Sequence, residues 1–203
     1  NDVWKFILFY TKTLADTKGD YMKTLIIIPA LNPPLDLIKY IEKLRLSGLE
    51  NILIVDDGSR SECNYIFEQL RDEQECKILT HAKNLGKGRA LKNAFNYFLT
   101  MPNVEEYNGI VTADSDGQHR VEDVLSMVET ISNYPDSLIL GCRDFDSENV
   151  PPKSKFGNKL TKSVFKLLYG RKITDTQTGL RGFPKAILHD MLDISGERFE
   201  YET

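Results

Sequence analysis

Gly109-Ile110-Val111-Thr112-Ala113-Asp114-Ser115-Asp116-Gly117-Gln118-His119 is an apolar run that ends on two carboxylates. Its first five residues have the length and apolar content of a buried strand, so Asp114 and Asp116 fall at a strand's exit. In an α/β sheet ligands bind at that end, and two acidic side chains spaced i, i+2 around a turn can grip one hard divalent cation from the same side. The competing reading makes them turn formers that cap a helix starting near Arg120.

Outward from this run the chain alternates short apolar stretches with helical periods, the signature of a mostly parallel sheet covered by helices. Leu25 to Ile28 is a strand stopped by Pro29, and Pro33 and Pro34 open a helix carrying Leu37, Ile38, Ile41 and Leu44. Ile52 to Val55 is the next strand, with Asp56-Asp57-Gly58-Ser59 as its exit turn. Ser61 is placed to cap the helix that follows, and Lys77 to Thr80 is a short third strand. Asn84 to Gly88 leads into a helix with Ala90, Leu91, Ala94 and Phe98. After the Asp114 strand come a helix from about Val121 to Ser132 and a strand over Ser137 to Leu140. The parallel pattern gathers Pro29, Asp56-Asp57 and Asp114-Asp116 along one sheet edge. There Asp56 or Asp57 can accept a hydrogen bond from a base or ribose, unless that segment is only a tight turn.

Composition narrows the classes. The 203 residues, 41% of them apolar, suffice for one α/β domain. A net charge of −4 lacks the basic footprint of a nucleic-acid binder. Cys63, Cys76 and Cys142 have no metal-like spacing, and the odd count suggests reduced thiols in a cytoplasmic protein. No apolar run reaches the roughly 18 residues needed to span a bilayer. Residues 1–21 read as an appendage to a domain over 22–203. Their apolar start, Val3 to Tyr10, suits a short amphipathic helix, the tail of an upstream domain, or sequence introduced by cloning.

Lys87 and Arg89 flank Gly88 ahead of a helix whose N-terminus favours anions, which makes Lys87 a candidate phosphate contact. There is neither a GxxxxGK[ST] loop nor a GxGxxG fingerprint, so ATP hydrolysis and NAD-linked redox chemistry are weak readings.

Four ordered motifs, Ile26 to Asn32, Ile54 to Ser59, Asn84 to Gly88 and Asp114 to Gln118, together resemble glycosyltransferase family 2 on a GT-A fold, a Rossmann-like three-layer α/β architecture with a mostly parallel central sheet. Gly141-Cys142-Arg143, the Asn158 segment, Asp175 to Arg181 and Phe199 to Glu202 resemble later motifs of its polyprenyl-phosphate branch. The resemblance implies a nucleotide-sugar donor, UDP rather than GDP, held by Pro29, Leu31, Val55 and Asp57 around base and ribose. It implies Asp114, Ser115 and Asp116 at the diphosphate, a Mg²⁺ or Mn²⁺ ion on Asp114, Asp116 and Gln118, and Arg143 neutralising phosphate charge. The expected reaction is inverting transfer of a hexose to a polyprenyl phosphate, with Asp116 and Arg143 in the catalytic group. Asp175 and Arg181 belong to a loop on the acceptor side. Glu200 or Glu202 would serve as base if the acceptor were a hydroxyl on a polysaccharide, glycolipid or glycoprotein. The chain departs from the family at Leu31-Asn32-Pro33, where an aromatic, an asparagine and an acid are usual. It also stops at Thr203, ahead of the membrane-associated helices common in that branch, which suggests a truncated catalytic domain and leaves a non-catalytic sugar-nucleotide-binding or scaffolding domain as a rival. Lys153 to Lys172, with seven basic and no acidic residues, suits either an anionic membrane surface at the cytoplasmic face or a packed helix with a solvated face.

Overall fold

The computed structural model describes residues 4–9, 23–143, 179–198 and 201, with residues 4–9, 142 and 143 described as backbone. Seven strands form one sheet: β1 (Trp4–Phe9), β2 (Lys23–Ala30), β3 (Ile52–Asp56), β4 (Lys77–Thr80), β5 (Tyr107–Thr112), β6 (Leu138–Arg143) and β7 (Arg181–Pro184). Their order is β1-β6-β7-β5-β2-β3-β4. β5, β2, β3 and β4 pair in parallel, while β7 runs antiparallel between β5 and β6. β1 then pairs antiparallel with β6, Trp4 opposite Arg143 and Phe9 opposite Leu138. The apolar start, for which a helix was one option, is therefore an edge strand.

β2 is buried at every residue after Lys23, as expected of a central parallel strand covered on both faces. Pairing faces alternate along it. Ile26 donates to Asn51 O, the Ala30 carbonyl accepts from Asp57 N, and the Ile27 carbonyl accepts from Ala113 N. Pro29 shares the orientation of Ile27, toward β5, which has ended by that level. Its missing N–H removes no ladder bond, so the strand runs through Pro29 instead of stopping there.

Helices α1 (Asp36–Leu46), α2 (Asn64–Asp72) and α4 (Val121–Asn133) cover one sheet face. They bury Leu37, Ile41, Leu70, Met127 and Ile131 against Ile26, Ile28, Ile54 and Val111. Helices α3 (Lys87–Leu99) and α5 (Leu188–Asp193) cover the other, with Leu91, Phe95 and Phe98 against Leu25, Ile27, Leu53 and Val55. The result is a three-layer α/β/α fold. α1 starts two residues after Pro34, and its end is a Schellman motif. Gly48 at φ 92° donates to Arg45 O and Leu49 donates to Leu44 O. Ser61 opens a 3-10 turn over Ser61–Cys63 and makes no side-chain cap, and α2 begins after it.

The order reverses at β2, with β3 on one side and β5 on the other. A crevice therefore opens between the carboxyl ends of β2 and β5, the switch point where such sheets take ligands. Since β7 is antiparallel, with Thr112 opposite Arg181, its first residues start at that same end.

Candidate functional site at the switch point

β5 delivers Asp114 to the crevice with both oxygens engaged. Lys87 Nζ, in the first turn of α3, donates to Oδ1 at 2.7 Å, and His119 Nε2 meets Oδ2 at 3.2 Å. Burial alone would raise the Asp114 carboxyl, but the His119 hydrogen bond and the Lys87 ammonium outweigh it and hold it well below the usual carboxylate range. Gly179, just before β7, presses on the same carboxylate, and a Cβ there would overlap Asp114 Oδ2. Thr112 Oγ1 donates to Gly179 O at 2.9 Å, which ties that glycine to the end of β5.

Asp116 is exposed and accepts from Gln118 N at 3.1 Å, closing a tight turn in which Gly117 has φ 71°. The N-cap of α4, Arg120, receives no side-chain cap bond. Neither carboxylate is therefore a helix cap, and the pair faces the crevice.

At the exit of β3 the two aspartates divide. Asp56 Oδ1 accepts from Ser59 N at 2.8 Å and shapes the turn. Asp57, 4% exposed, accepts three hydrogen bonds: His81 Nδ1 at 2.7 Å and Leu85 N at 2.9 Å on Oδ1, and Gly86 N at 2.8 Å on Oδ2. A carboxylate only accepts, so the imidazole proton belongs on Nδ1. That leaves Nε2 to accept from Asn93 Nδ2 at 2.9 Å. This Asp57-His81-Asn93 chain sews the ends of β3 and β4 to α3. Asn32 binds across to the β3 turn, its N–H donating to Ser59 Oγ and its Oδ1 accepting from Arg60 N, both at 2.9 Å.

The crevice is a cavity of about 310 Å³ lined by Pro29, Ala30, Leu31, Asp57, Asn84, Gly86, Lys87, Asp114, Ser115, Asp116 and Arg198. Seven residues expected at the donor, Pro29, Leu31, Asp57, Lys87, Asp114, Ser115 and Asp116, meet there. Val55 does not. It lies one pleat deeper than Asp57 on the same sheet face, fully buried among the side chains of the α3 layer. Gln118 is exposed and outside the lining. Arg181 opens β7 rather than sitting in a loop, and it is 7% exposed. Arg143 ends β6, with its side chain outside the described residues, and so are Asp175, Glu200, Glu202, the Asn158 segment and Lys153 to Lys172. Arg198 and His81 carried no sequence signal, because each is brought to the site by contacts between distant elements, and Gly179 stood inside the Asp175 to Arg181 motif without its contact with Asp114 being readable.

Among the described residues no group of three or more His, Cys, Asp or Glu forms a protein-only metal cage. The donor chemistry nevertheless fits a hard cation. Mg²⁺-type sites use one or two carboxylates and complete their shell with water and substrate phosphate, and Asp116 and Asp114 at an open cavity offer that set. No helix among the described residues is long and apolar enough to cross a membrane.

Residues 25–192 match the sequence profile of Glycosyl transferase family 2. The chain is similar to a UDP-N-acetylglucosamine–dolichyl-phosphate N-acetylglucosaminyltransferase of Methanococcus voltae, 29% identical over 196 residues, covering 86% of this chain and 75% of that protein. It is similar to an uncharacterized protein of Methanocaldococcus jannaschii, 27% identical over 183 residues, with 88% and 72% covered. It is also similar to the glycosyltransferase AglJ of Haloferax volcanii, at 23% over 180 residues, with 88% and 55% covered.

Proposed function

The chain belongs to glycosyltransferase family 2, and from that premise we propose that it moves a sugar from a nucleotide diphosphate, UDP rather than GDP, to a polyprenyl phosphate at the cytoplasmic face of a membrane. The observation that carries the reading is the Asp114-Ser115-Asp116 turn on the rim of the switch-point cavity. The name of the Methanococcus voltae relative supports a UDP-linked donor and a lipid-phosphate acceptor, and it widens the transferred group from a hexose to include an N-acetylhexosamine.

Pro29, Leu31 and Asp57 form the wall for base and ribose, and Asp114, Ser115 and Asp116 face the diphosphate. Asp116, with Asp114 behind it, would hold a divalent cation, which supplies Lewis-acid charge to the departing diphosphate when bound. Lys87 balances the charge of Asp114 at a site that also receives an anion. An acceptor phosphate oxygen is already ionised near neutral pH and attacks in line without a general base, inverting the anomeric centre. Arg143, Asp175 and Arg181 are assigned to the phosphate and acceptor side, and Glu202 to the base role if the acceptor is a hydroxyl.

Calorimetric titration of UDP-N-acetylglucosamine, UDP-glucose and GDP-mannose, each with Mn²⁺ and with EDTA, tests the donor assignment. Binding of a UDP-sugar that disappears in EDTA is expected. Binding of GDP-mannose alone would reverse the nucleotide, and binding of none would remove the donor site. The membrane assignment predicts that replacing Lys159, Lys162 and Lys166 together with Gln lowers association with anionic vesicles. Unchanged association would leave that segment as a packed helix with a solvated face.

A further inference from the structure

The exits of β2 and β3 are braced to each other around Leu31. Ala30 stands opposite Asp56 in the parallel ladder, and the Ala30 carbonyl accepts from Asp57 N at 2.9 Å. One residue beyond Leu31, Asn32 N donates to Ser59 Oγ and Asn32 Oδ1 accepts from Arg60 N, both at 2.9 Å. Leu31 is therefore bracketed, before and after, by cross-links to a single turn. Asn32 makes its pair of bonds at φ 50°, a left-handed backbone that asparagine tolerates better than most side chains. The turn it grips is itself held. Ser59 N donates to Asp56 Oδ1, and a Cβ on Gly58 would overlap the Lys83–Asn84 backbone, so the turn lies directly on the loop that brings Asn84 to the cavity.

Leu31 is 43% exposed, so core packing does little to place its side chain, and the brace sets it instead. It lines the cavity together with Asp57 and Asn84. An apolar side chain suits the face of a nucleobase, and the two polar ones suit its edge. Because face and edge are met by loops that are tied together, the base is received in a frame of fixed dimensions. Purine and pyrimidine edges project to different distances from the ribose, so such a frame fits one and rejects the other. Asp57 narrows the choice further. Of the roughly four acceptor positions of a carboxylate, His81, Leu85 and Gly86 take three, which leaves one for a base edge. Uracil presents a single N–H there, whereas guanine presents two adjacent donors. We propose that Asn32 is a specificity-determining positioning residue: by bracing the β2 exit to the β3 turn, it holds Leu31 and Asp57 at the spacing that selects a uracil nucleotide over a guanine one. This rests on the donor reading given above.

The experiment measures binding of UDP, GDP and inorganic diphosphate in Mn²⁺ to wild type, Asn32→Gly, Asn32→Asp and Ser59→Ala, with a thermal melt of each. Asn32→Gly keeps the left-handed backbone unstrained and removes the Oδ1 bond, and Ser59→Ala removes the acceptor of the Asn32 amide. Wild type should favour UDP over GDP, and each of these two variants should cut that preference by about fivefold, the net contribution of one hydrogen bond. Inorganic diphosphate should bind every variant alike. The melting temperature should move by about 2 °C or less, because both bonds lie at the surface. Asn32→Asp keeps an acceptor for Arg60 N and the tolerance of positive φ, so it should retain most of the preference. An unchanged UDP-to-GDP ratio in Asn32→Gly and Ser59→Ala overturns the proposal, as does a loss shared equally with inorganic diphosphate, which would make Asn32 structural. Equal affinity of wild type for the two nucleotides, or a preference for GDP, overturns it too while leaving the donor site in place. If wild type binds neither nucleotide, the donor reading itself falls, and this proposal with it.

Discussion

Asp57→Ala should destabilise the protein by about 3 kcal/mol, because three donors lose their acceptor in one step and each buried unpaired donor costs about 1–3 kcal/mol. The donors are His81 Nδ1–H and the Leu85 and Gly86 amides. The lower end of the range applies, since Asp57 borders the cavity and water can reach part of the gap. For a chain of this size the melting temperature should drop by roughly 6–12 °C. Asp57→Asn keeps the shape and at least one acceptor, so its loss should be about 1 kcal/mol. Denaturant unfolding of both variants checks this, and an Asp57→Ala midpoint equal to wild type would mean the network carries no stability. Donor affinity should fall in both variants, more in the alanine one, because the loop holding Gly86 and Lys87 is fastened through this carboxylate.

Gly179→Ala should lower transfer by on the order of 10²-fold, the effect expected when a reacting group is displaced by about 1 Å. The added methyl overlaps Asp114 Oδ2 and cannot be relieved by a rotamer change on its own side. Asp114 would have to swing off Lys87 and His119, or Gly179 off Thr112. Asp114 is held from three directions, so the strain should appear as lost metal-dependent donor binding more than as lost folding. Steady-state transfer alongside a thermal melt separates the two. Near-normal transfer would show that the β5 exit yields freely, and the proposed geometry of the carboxylate pair would have to be abandoned.

Strands β2, β3 and β5 and helices α1 to α4 were legible because burial on both sheet faces demands continuous apolar runs, and one-sided helix burial demands the 3.6-residue period. β7 was not legible. Arg181-Gly182-Phe183-Pro184 has neither alternation nor β-branched content, and it is a strand only because β5 and β6 offer it two edges. Pro29 misled for a related reason, since its cost depends on where the neighbouring strand ends. At the site, residues on strand exits could be read because a parallel sheet aligns all such exits. Val55 would have needed the depth of the α3 layer to be known. His81 holds Asp57 from β4's exit and Arg198 reaches the cavity wall from beyond α5, through contacts that leave no periodic trace.

The placement of β7 also sets an order of events during synthesis. β5 and β6 emerge from the ribosome well before Arg181 to Pro184, yet among the described residues it is this late strand that pairs with both of them. Until the late strand arrives, the nascent sheet has two open edges facing a gap, and such edges pair readily with other chains. A nascent chain stalled before Gly179 is thus exposed to aggregation in a way the finished protein is not. The same late segment brings Gly179 against Asp114, so the Asp114–Asp116 turn takes its final shape in the step that closes the sheet.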